Sequence, residues 1–153
     1  MNGIVTINTD ASYHSGHKVG AYSFWIVSDF GRVCYSGVLK QASNPTSAEC
    51  MCIINSLVAL KKQKWEGLAK IIINTDSLNA TYIFKREKSN IERYRLQYGD
   101  NLFHFFRKSI IELPPIEFRH VKAHTTNSDA RSWVNNWCDE AAKKQLWNFI
   151  NAK

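Results

Sequence analysis

The chain has 153 residues, which suits one domain with a buried core, and we expect residues 1–153 to form a single domain. Its 20 Lys and Arg against 13 Asp and Glu give a net charge of +7, which favours a polyanionic partner over a neutral metabolite. No apolar run approaches the ~20 residues of a membrane helix and no secretion signal is recognisable, so the sequence predicts a cytoplasmic protein without a membrane partner.

Two short β-branched runs, at residues 4–10 and 71–76, end in the same three residues, Asn-Thr-Asp. Both runs are typical of buried strands. Neighbouring strands lie only about 4.8 Å apart, so parallel pairing would bring Asp10 and Asp76 together. Like charges that close repel unless a divalent cation lies between them. Aspartate is also common at strand ends and turns, which leaves a structural explanation open for each residue alone.

The residues after Asp10 predict the antiparallel part of a sheet. Residues 11–20 are polar and are expected to form a loop. Residues 21–28 and 32–39 follow as two strands, joined by a turn whose glycine permits a positive φ. We therefore expect three sequential strands in a meander.

A helix is predicted to start near residues 44–49. Thr46 can cap this helix, and Glu49 stands three residues later in a capping-box position. A capping glutamate needs no catalytic explanation, so Glu49 alone is ambiguous. The helix leads into a strand at residues 70–74, and a right-handed crossover would make that strand a parallel neighbour of the first.

The second half of the chain predicts three helices and a last strand. Residues 77–84 and 101–113 form the first two helices, and the second of these ends at two prolines. Its expected buried stripe is Leu102, Phe105, Phe106 and Ile110. A strand at residues 116–122 and a polar loop follow. The last helix is expected at residues 136–150, with Asp139 in its first turn, where the helix dipole alone would favour an acidic residue.

Residues 85–95 carry five basic residues against two acidic ones. Such a segment is either a solvated helix face or a surface that binds phosphate groups. The four cysteines show no C-x-x-C spacing, so we expect reduced core residues rather than zinc ligands. They are Cys34, Cys50, Cys52 and Cys138.

Five residues that could take part in catalysis or metal binding occur in a characteristic order. The motifs are T-D-A-S at Asp10, T-S-A-E at Glu49, N-T-D-S at Asp76, H-V-K-A-H ending at His124, and N-N-W-C-D-E-A-A around Asp139. Together they resemble the ribonuclease H type 1 family over nearly the whole chain. Ala11 stands where family members often have glycine, and the interval from His124 to Asp139 is long for the family.

The resemblance implies an α/β fold with a mixed five-stranded sheet of order 3-2-1-4-5 flanked by helices. It implies endonucleolytic hydrolysis of the RNA strand of RNA/DNA hybrids. Two Mg²⁺ ions, or Mn²⁺ as an alternative, would be held by Asp10, Glu49, Asp76 and Asp139. Asp10 would bridge both ions, Asp139 would serve the leaving-group side, and His124 would assist proton movement or product departure.

Without metal, four clustered carboxylates repel one another. We therefore expect raised carboxyl pKa values and a gain in stability when Mg²⁺ binds.

Candidate substrate-binding residues are short polar groups that would sense 2′-hydroxyls near the metals, and basic groups that would contact phosphate. The polar candidates are Ser12, Asn44, Thr46, Ser77, Asn79 and Asn135, and the basic ones are Lys85, Arg86 and Lys88. Two alternatives to a ribonuclease H stay open at this point. One is another nuclease of the same superfold, such as a junction resolvase or exonuclease, and the other is a catalytically silent hybrid-binding module. We expect a monomer in either case.

Overall fold

The computed structural model of the chain describes residues 2–40, 42–84, 101–121 and 130–152. A five-stranded mixed sheet of order β3-β2-β1-β4-β5 lies at its centre, which confirms the predicted fold class and strand order. The strands are β1 (Ile4–His14), β2 (Val19–Ser28), β3 (Gly31–Leu39), β4 (Lys70–Thr75) and β5 (Ile116–His120). The helices are α1 (Pro45–Lys62), α2 (Leu78–Phe84), α3 (Asn101–Ser109) and α4 (Ala130–Ile150).

The register of the parallel strands β1 and β4 puts the two Asn-Thr-Asp motifs side by side. Asn8 lies opposite Asn74, and Asn74 Nδ2 donates a hydrogen bond to Asn8 Oδ1 at 3.2 Å. Asp10 and Asp76 each lie two residues beyond this last paired position. The predicted parallel pairing is therefore confirmed, and α1 is the helix that connects β3 to β4.

Strand β1 continues past Asp10 as far as His14. Its antiparallel pairing with β2 runs to the pair His14 and Val19, and only residues 15–18 form the turn. The prediction of a loop over residues 11–20 is wrong at both of its ends. Polar residues can occupy a strand when the neighbouring strand supplies the ladder of hydrogen bonds, so composition alone misplaced this boundary.

Helix α1 starts from Asn44 as its N-cap and not from Thr46. The Ser47 N–H donates to Asn44 Oδ1 at 2.8 Å, and the Asn44 N–H donates to Ser47 Oγ at 3.1 Å. This reciprocal pair is a capping box that does not involve Glu49. The predicted cap is two residues late because Pro45 fits the first helical position. The Glu49 side chain is thus not needed to start the helix.

Two later helices also differ from their predicted bounds. Helix α3 ends at Ser109, four residues early, and a turn with Glu112 at a φ of 69° precedes the prolines. Helix α4 begins at Ala130, six residues earlier than predicted, so Asp139 lies in its third turn and not in its first. Strand β5 ends at His120, short of the predicted residue 122, which lies outside the described residues.

The main core lies between the sheet and helices α1, α2 and α3. It joins Ile7 of β1 and Leu57 of α1 to Phe84 and Phe106, whose rings stack 4.0 Å apart. Phe105, predicted to be buried, is 53% exposed because its neighbour Phe106 takes the core position.

The opposite face of the sheet is covered by α4. Side chains alternate along a strand, so Trp25 of β2 points away from the core that holds its neighbour Phe24. The Trp25 ring contacts Trp133 and Trp137 of α4, with centroids 5.6 Å and 5.2 Å apart. The sheet is thus sandwiched between helices.

Cys50, Cys52 and Cys138 are buried free thiols, as predicted. Cys34 is also free but exposed, because it lies on the edge strand β3, so its predicted core position is wrong. In the described part of the chain, every helix is too short or too polar to cross a membrane.

Candidate active site

Three carboxylates meet at the edge of the sheet where β1 and β4 stop pairing. Asp10 comes from β1, Glu49 from the second turn of α1, and Asp76 from the residue after β4. One oxygen atom of each side chain lies within 4.8 Å of the others. Carboxylate oxygens are the ligands that hard divalent cations prefer. This trio can therefore hold such a cation.

Asp139 reaches the trio through Asp10. The Asp139 carboxylate lies close enough to Asp10 to contribute to the rise of the Asp10 pKa. One turn further along α4, Lys143 Nζ lies 3.0 Å from Asp139 Oδ2. Because α4 begins at Ala130, the helix dipole no longer explains an acidic residue at position 139. Three of the four predicted acids thus form the trio and Asp139 lies near its Asp10 member, while their roles as ligands stay a prediction.

One backbone group orients two of the acids. The N–H of Ala11 donates to Asp10 Oδ1 at 2.9 Å and to Glu49 Oε1 at 3.3 Å. The second oxygen of Glu49, Oε2, is buried and has no hydrogen-bond partner among the described residues. A buried polar atom without a partner is costly, and a bound cation would satisfy it. The residues present therefore fit a metal ion.

Burial makes the Asp10 and Glu49 side chains hard to ionise. It raises the pKa of Asp10 from 3.8 to about 8, and repulsion from Asp76 and then from Asp139 adds to the rise. Burial, with repulsion from Asp10 and Asp76, also raises the pKa of Glu49 well above its ordinary value. The expected rise is therefore confirmed for both groups, but its main cause is burial, and the predicted repulsion between the acids comes second. Without a cation, Asp10 holds its proton near neutral pH.

Two thiols hold the backbone that carries Asp10. Cys52 Sγ donates to the carbonyl oxygens of Asp10 and Ser23, at 3.4 Å and 3.2 Å. From α4, Cys138 Sγ donates to the carbonyl oxygen of Asn8 at 3.6 Å. Burial raises the pKa of both thiols, to about 12 for Cys138. Both thiols therefore stay protonated and keep their role as donors.

Three groups at the site were not predicted from the sequence. They are the Ala11 N–H, Lys143, and His120, whose Nε2 lies 3.2 Å from the carbonyl oxygen of Asp76. Lys143 stands four residues after Asp139, a spacing from which a helical ion pair can be predicted. The sequence does not show which backbone N–H groups will donate to side chains, so the role of the Ala11 N–H could not be predicted.

The polar substrate-binding candidates lie in different environments. Asn44 caps α1, and Ser77 Oγ accepts a hydrogen bond from the Ala80 N–H at 3.1 Å, so both side chains have local structural partners. Asn135 is 4% exposed, which leaves little surface for a direct contact with substrate. The remaining polar candidates are half-buried or exposed, and they are Ser12, Thr46 and Asn79.

His124 and the basic candidates Lys85, Arg86 and Lys88 lie outside the described residues. Their roles, and those of the polar candidates, stay predictions.

Comparison with known proteins identifies the family. A family model described as RNase H matches residues 2–146, whereas no curated protein matches the chain significantly in sequence. The chain is similar in structure to RNase H1 from the halophilic archaeon Halobacterium salinarum NRC-1, with 18% identity, a TM-score of 0.63, and coverage of 95% of this chain and 98% of that one. It is also similar to the N-terminal RNase H domain of rv2228c from Mycobacterium tuberculosis, solved as a fusion with maltose-binding protein, with 13% identity, a TM-score of 0.70, and coverage of 97% of each chain. Because the family model spans nearly the whole sequence, the chain belongs to the RNase H family.

Proposed function

We propose that this chain hydrolyses the RNA strand of RNA/DNA hybrids endonucleolytically, with divalent cations held by Asp10, Glu49, Asp76 and Asp139. The observation that carries the proposal is the trio of carboxylates within 4.8 Å of one another, with a buried Glu49 oxygen that has no partner among the described residues. Membership of the RNase H family supports a hybrid nuclease. A module that only binds hybrids has no use for buried acids that repel one another.

The donor set suits two Mg²⁺ ions, with Mn²⁺ as an alternative. Asp10 belongs to the trio and is also influenced by Asp139, so it would be the ligand shared by the two ions. Glu49 and Asp76 would complete one ion site, and Asp139 would serve the other. When bound, a pair of divalent cations makes the attacking water nucleophilic and neutralises the charge that develops on the leaving 3′ oxygen.

Several groups of the protein orient the acids and reduce the repulsion between them before a cation binds. The Ala11 N–H fixes the orientation of Asp10 and Glu49, and the Asn8–Asn74 hydrogen bond holds β1 against β4. Asp10 has to lose its proton before a cation binds, because its pKa lies at about 8. The positive charge of Lys143 reduces the repulsion that Asp139 adds to the cluster.

The polar side chains near the acids are proposed to select the hybrid. Ser12 lies two residues after Asp10 on the same strand, so the two side chains point to the same face of the sheet. A hydroxyl there can exchange hydrogen bonds with the 2′-hydroxyl that distinguishes RNA from DNA. His124 is proposed to assist the departure of the product.

The experiment is cleavage of a hybrid with labels on both strands, with Mg²⁺ and with a chelator. We expect internal cuts in the RNA strand with Mg²⁺, no cuts with the chelator, and an intact DNA strand. Asp10→Asn should abolish cleavage but keep hybrid binding in a gel-shift assay. Asp29→Asn removes an exposed carboxylate in the β2–β3 turn and is the matched control, with full activity expected.

Three outcomes would contradict the proposal. Cutting confined to four-way junctions would indicate a resolvase, and degradation from strand ends alone would indicate an exonuclease. Hybrid binding without cleavage in either Mg²⁺ or Mn²⁺ would indicate a binding module.

A further inference from the structure

We propose that the groove between α1 and α3 is the docking site for an acidic amphipathic helix of a partner protein. The groove has a volume of about 870 Å³. Apolar side chains from both helices form its floor, namely Met51, Ile54, Val58, Leu102 and Phe105. The inference concerns a surface that the proposed hydrolysis does not use.

Part of the apolar floor is exposed to solvent, unlike the side chains of a protein core. Phe105 is 53% exposed and Val58 is 39% exposed. Adjacent exposed apolar side chains of this kind mark sites of protein interaction. A polynucleotide is held mainly through its phosphates, by basic and hydrogen-bonding groups, so an apolar floor indicates a protein partner.

The shape of the floor fits a helix. Met51, Ile54 and Val58 follow one another at three- and four-residue spacing, so they form a single stripe along α1. From Met51 to Lys62 the groove follows α1 for about 16 Å, the length of three helical turns. A groove bordered by two helices is the usual receptor for an amphipathic helix that inserts its apolar face.

The charge of the rim specifies an acidic partner. Four lysines line the groove, and no acidic residue does so among the described residues. They are Lys61, Lys62, Lys64 and Lys108. A second copy of this chain, with its net charge of +7, would be repelled by such a rim. Asp and Glu on the flanks of a partner helix would instead complement it.

The groove and the carboxylates lie on different faces of α1. Glu49 points to β1, where its Oε1 accepts a hydrogen bond from the Ala11 N–H, whereas Met51 points into the groove. Substitutions in the groove are therefore expected to leave hybrid cleavage unchanged. Peptide binding and hybrid cleavage then test the two proposals separately.

The test uses a fluorescently labelled helical peptide of about four turns (~14 residues). Leucines form one face of the peptide, and Asp and Glu flank that face. A second peptide carries Lys in place of every acid. Fluorescence anisotropy with the full chain should give an affinity about tenfold higher for the acidic peptide. Val58→Glu should weaken binding of the acidic peptide by about tenfold or more.

Matched variants control for folding and for charge. Val27 on β2 has the same 39% exposure as Val58, so Val27→Glu is the control for the apolar floor. Lys144→Glu on α4 is the control for the double variant Lys61→Glu and Lys62→Glu, which should reverse the preference between the two peptides. Both controls should bind like the parent. The double variant changes side chains on the helix surface, so it keeps the test valid if Val58→Glu fails to fold.

Four results would overturn the proposal. Weakening of acidic-peptide binding by Val27→Glu as strong as that by Val58→Glu would place the binding site outside the groove. Equal binding of the two peptides, or no binding of the acidic one, would remove the role of the lysines. Displacement of the acidic peptide by an RNA/DNA hybrid would assign the groove to nucleic acid.

Discussion

Replacing Asp10 by asparagine should stabilise the metal-free protein. Asp10 is 3% exposed, and its pKa rises to about 8 through burial first and through repulsion from Asp76 and Asp139 next. In the unfolded chain its ordinary value of 3.8 applies. Between these two values the unfolded state releases a proton that the folded state keeps. The free energy of unfolding therefore falls as the pH rises through this window.

The size of the effect follows from the two pKa values. One such group lowers the free energy of unfolding by about 1.4 kcal/mol for each pH unit in the window. Between 3.8 and about 8 the loss reaches the order of 5 kcal/mol. Total stabilities of domains are only about 5–15 kcal/mol, so the loss is large. Asparagine is uncharged at every pH, so Asp10→Asn avoids this loss of stability.

Urea unfolding in the presence of a chelator, followed by the fluorescence of the five tryptophans, measures this difference. Parent and Asp10→Asn should have similar stability near the acidic end of the window and diverge by several kcal/mol towards pH 8. The control Asp29→Asn removes an exposed carboxylate and should stay within about 0.5 kcal/mol of the parent. Millimolar Mg²⁺ should raise the stability of the parent but not that of Asp10→Asn.

A stability difference that does not change with pH would refute this reasoning. So would a variant that is less stable than the parent throughout the window. The first result would mean that folding does not raise the pKa of Asp10. The second would mean that the Asp10 carboxylate has stabilising partners that outweigh its burial and the repulsion from neighbouring acids.

Further predictions concern the metal, the thiols and the core. Mg²⁺ binding near neutral pH should release about one proton or more, because Asp10 must ionise; calorimetry in two buffers of different ionisation enthalpy measures this, and identical apparent enthalpies would contradict it. Lys143→Met should tighten Mg²⁺ binding by up to about fivefold, since it removes the positive charge of an exposed lysine that is paired with the half-buried Asp139; weaker binding in a titration would count against the pair. In the folded protein only Cys34 should react rapidly with a thiol reagent, against all four cysteines in denaturant, and a second fast thiol would argue against the described burial. Leu57→Ala should lower the free energy of unfolding by about 2–5 kcal/mol, and a loss below about 1 kcal/mol would place Leu57 outside the core.

The pairing of Asp10 with Asp76 could be predicted because the sequence repeats one strand motif. Two β-branched runs with the same Asn-Thr-Asp end, separated by a strand meander and a helix that leads into the second run, leave few topologies open. The observed register then aligns the motifs residue by residue, from Asn8 against Asn74. The hydrophobic pattern and the crossover rule together are enough to predict this part of the fold.

The structural alternatives for Glu49 and Asp139 could not be decided from the sequence. Each depended on where a helix begins, and helix starts depend on cap geometry rather than on composition. Asn44 and Ser47 cap α1 without Glu49, and α4 starts well before Asp139. Both acids are therefore left without the local explanation that the sequence allowed.

Contacts between segments that are distant in the sequence are harder still to predict from it. The Ala11 N–H that orients two acids is a backbone group, and its position depends on the extension of β1 to His14. The groove depends on how α1 packs against α3. Val58 belongs to the apolar pattern of α1, yet it is 39% exposed because α3 leaves that part of the helix uncovered.

Anomalous diffraction from crystals soaked in Mn²⁺ tests most directly whether the four acids form a metal centre. We expect a peak among the carboxylates of Asp10, Glu49 and Asp76, and a second peak between Asp10 and Asp139 once a hybrid is bound. Both peaks should vanish in Asp10→Asn. Saturating Mn²⁺ that leaves these carboxylates empty while it occupies other sites would contradict the account.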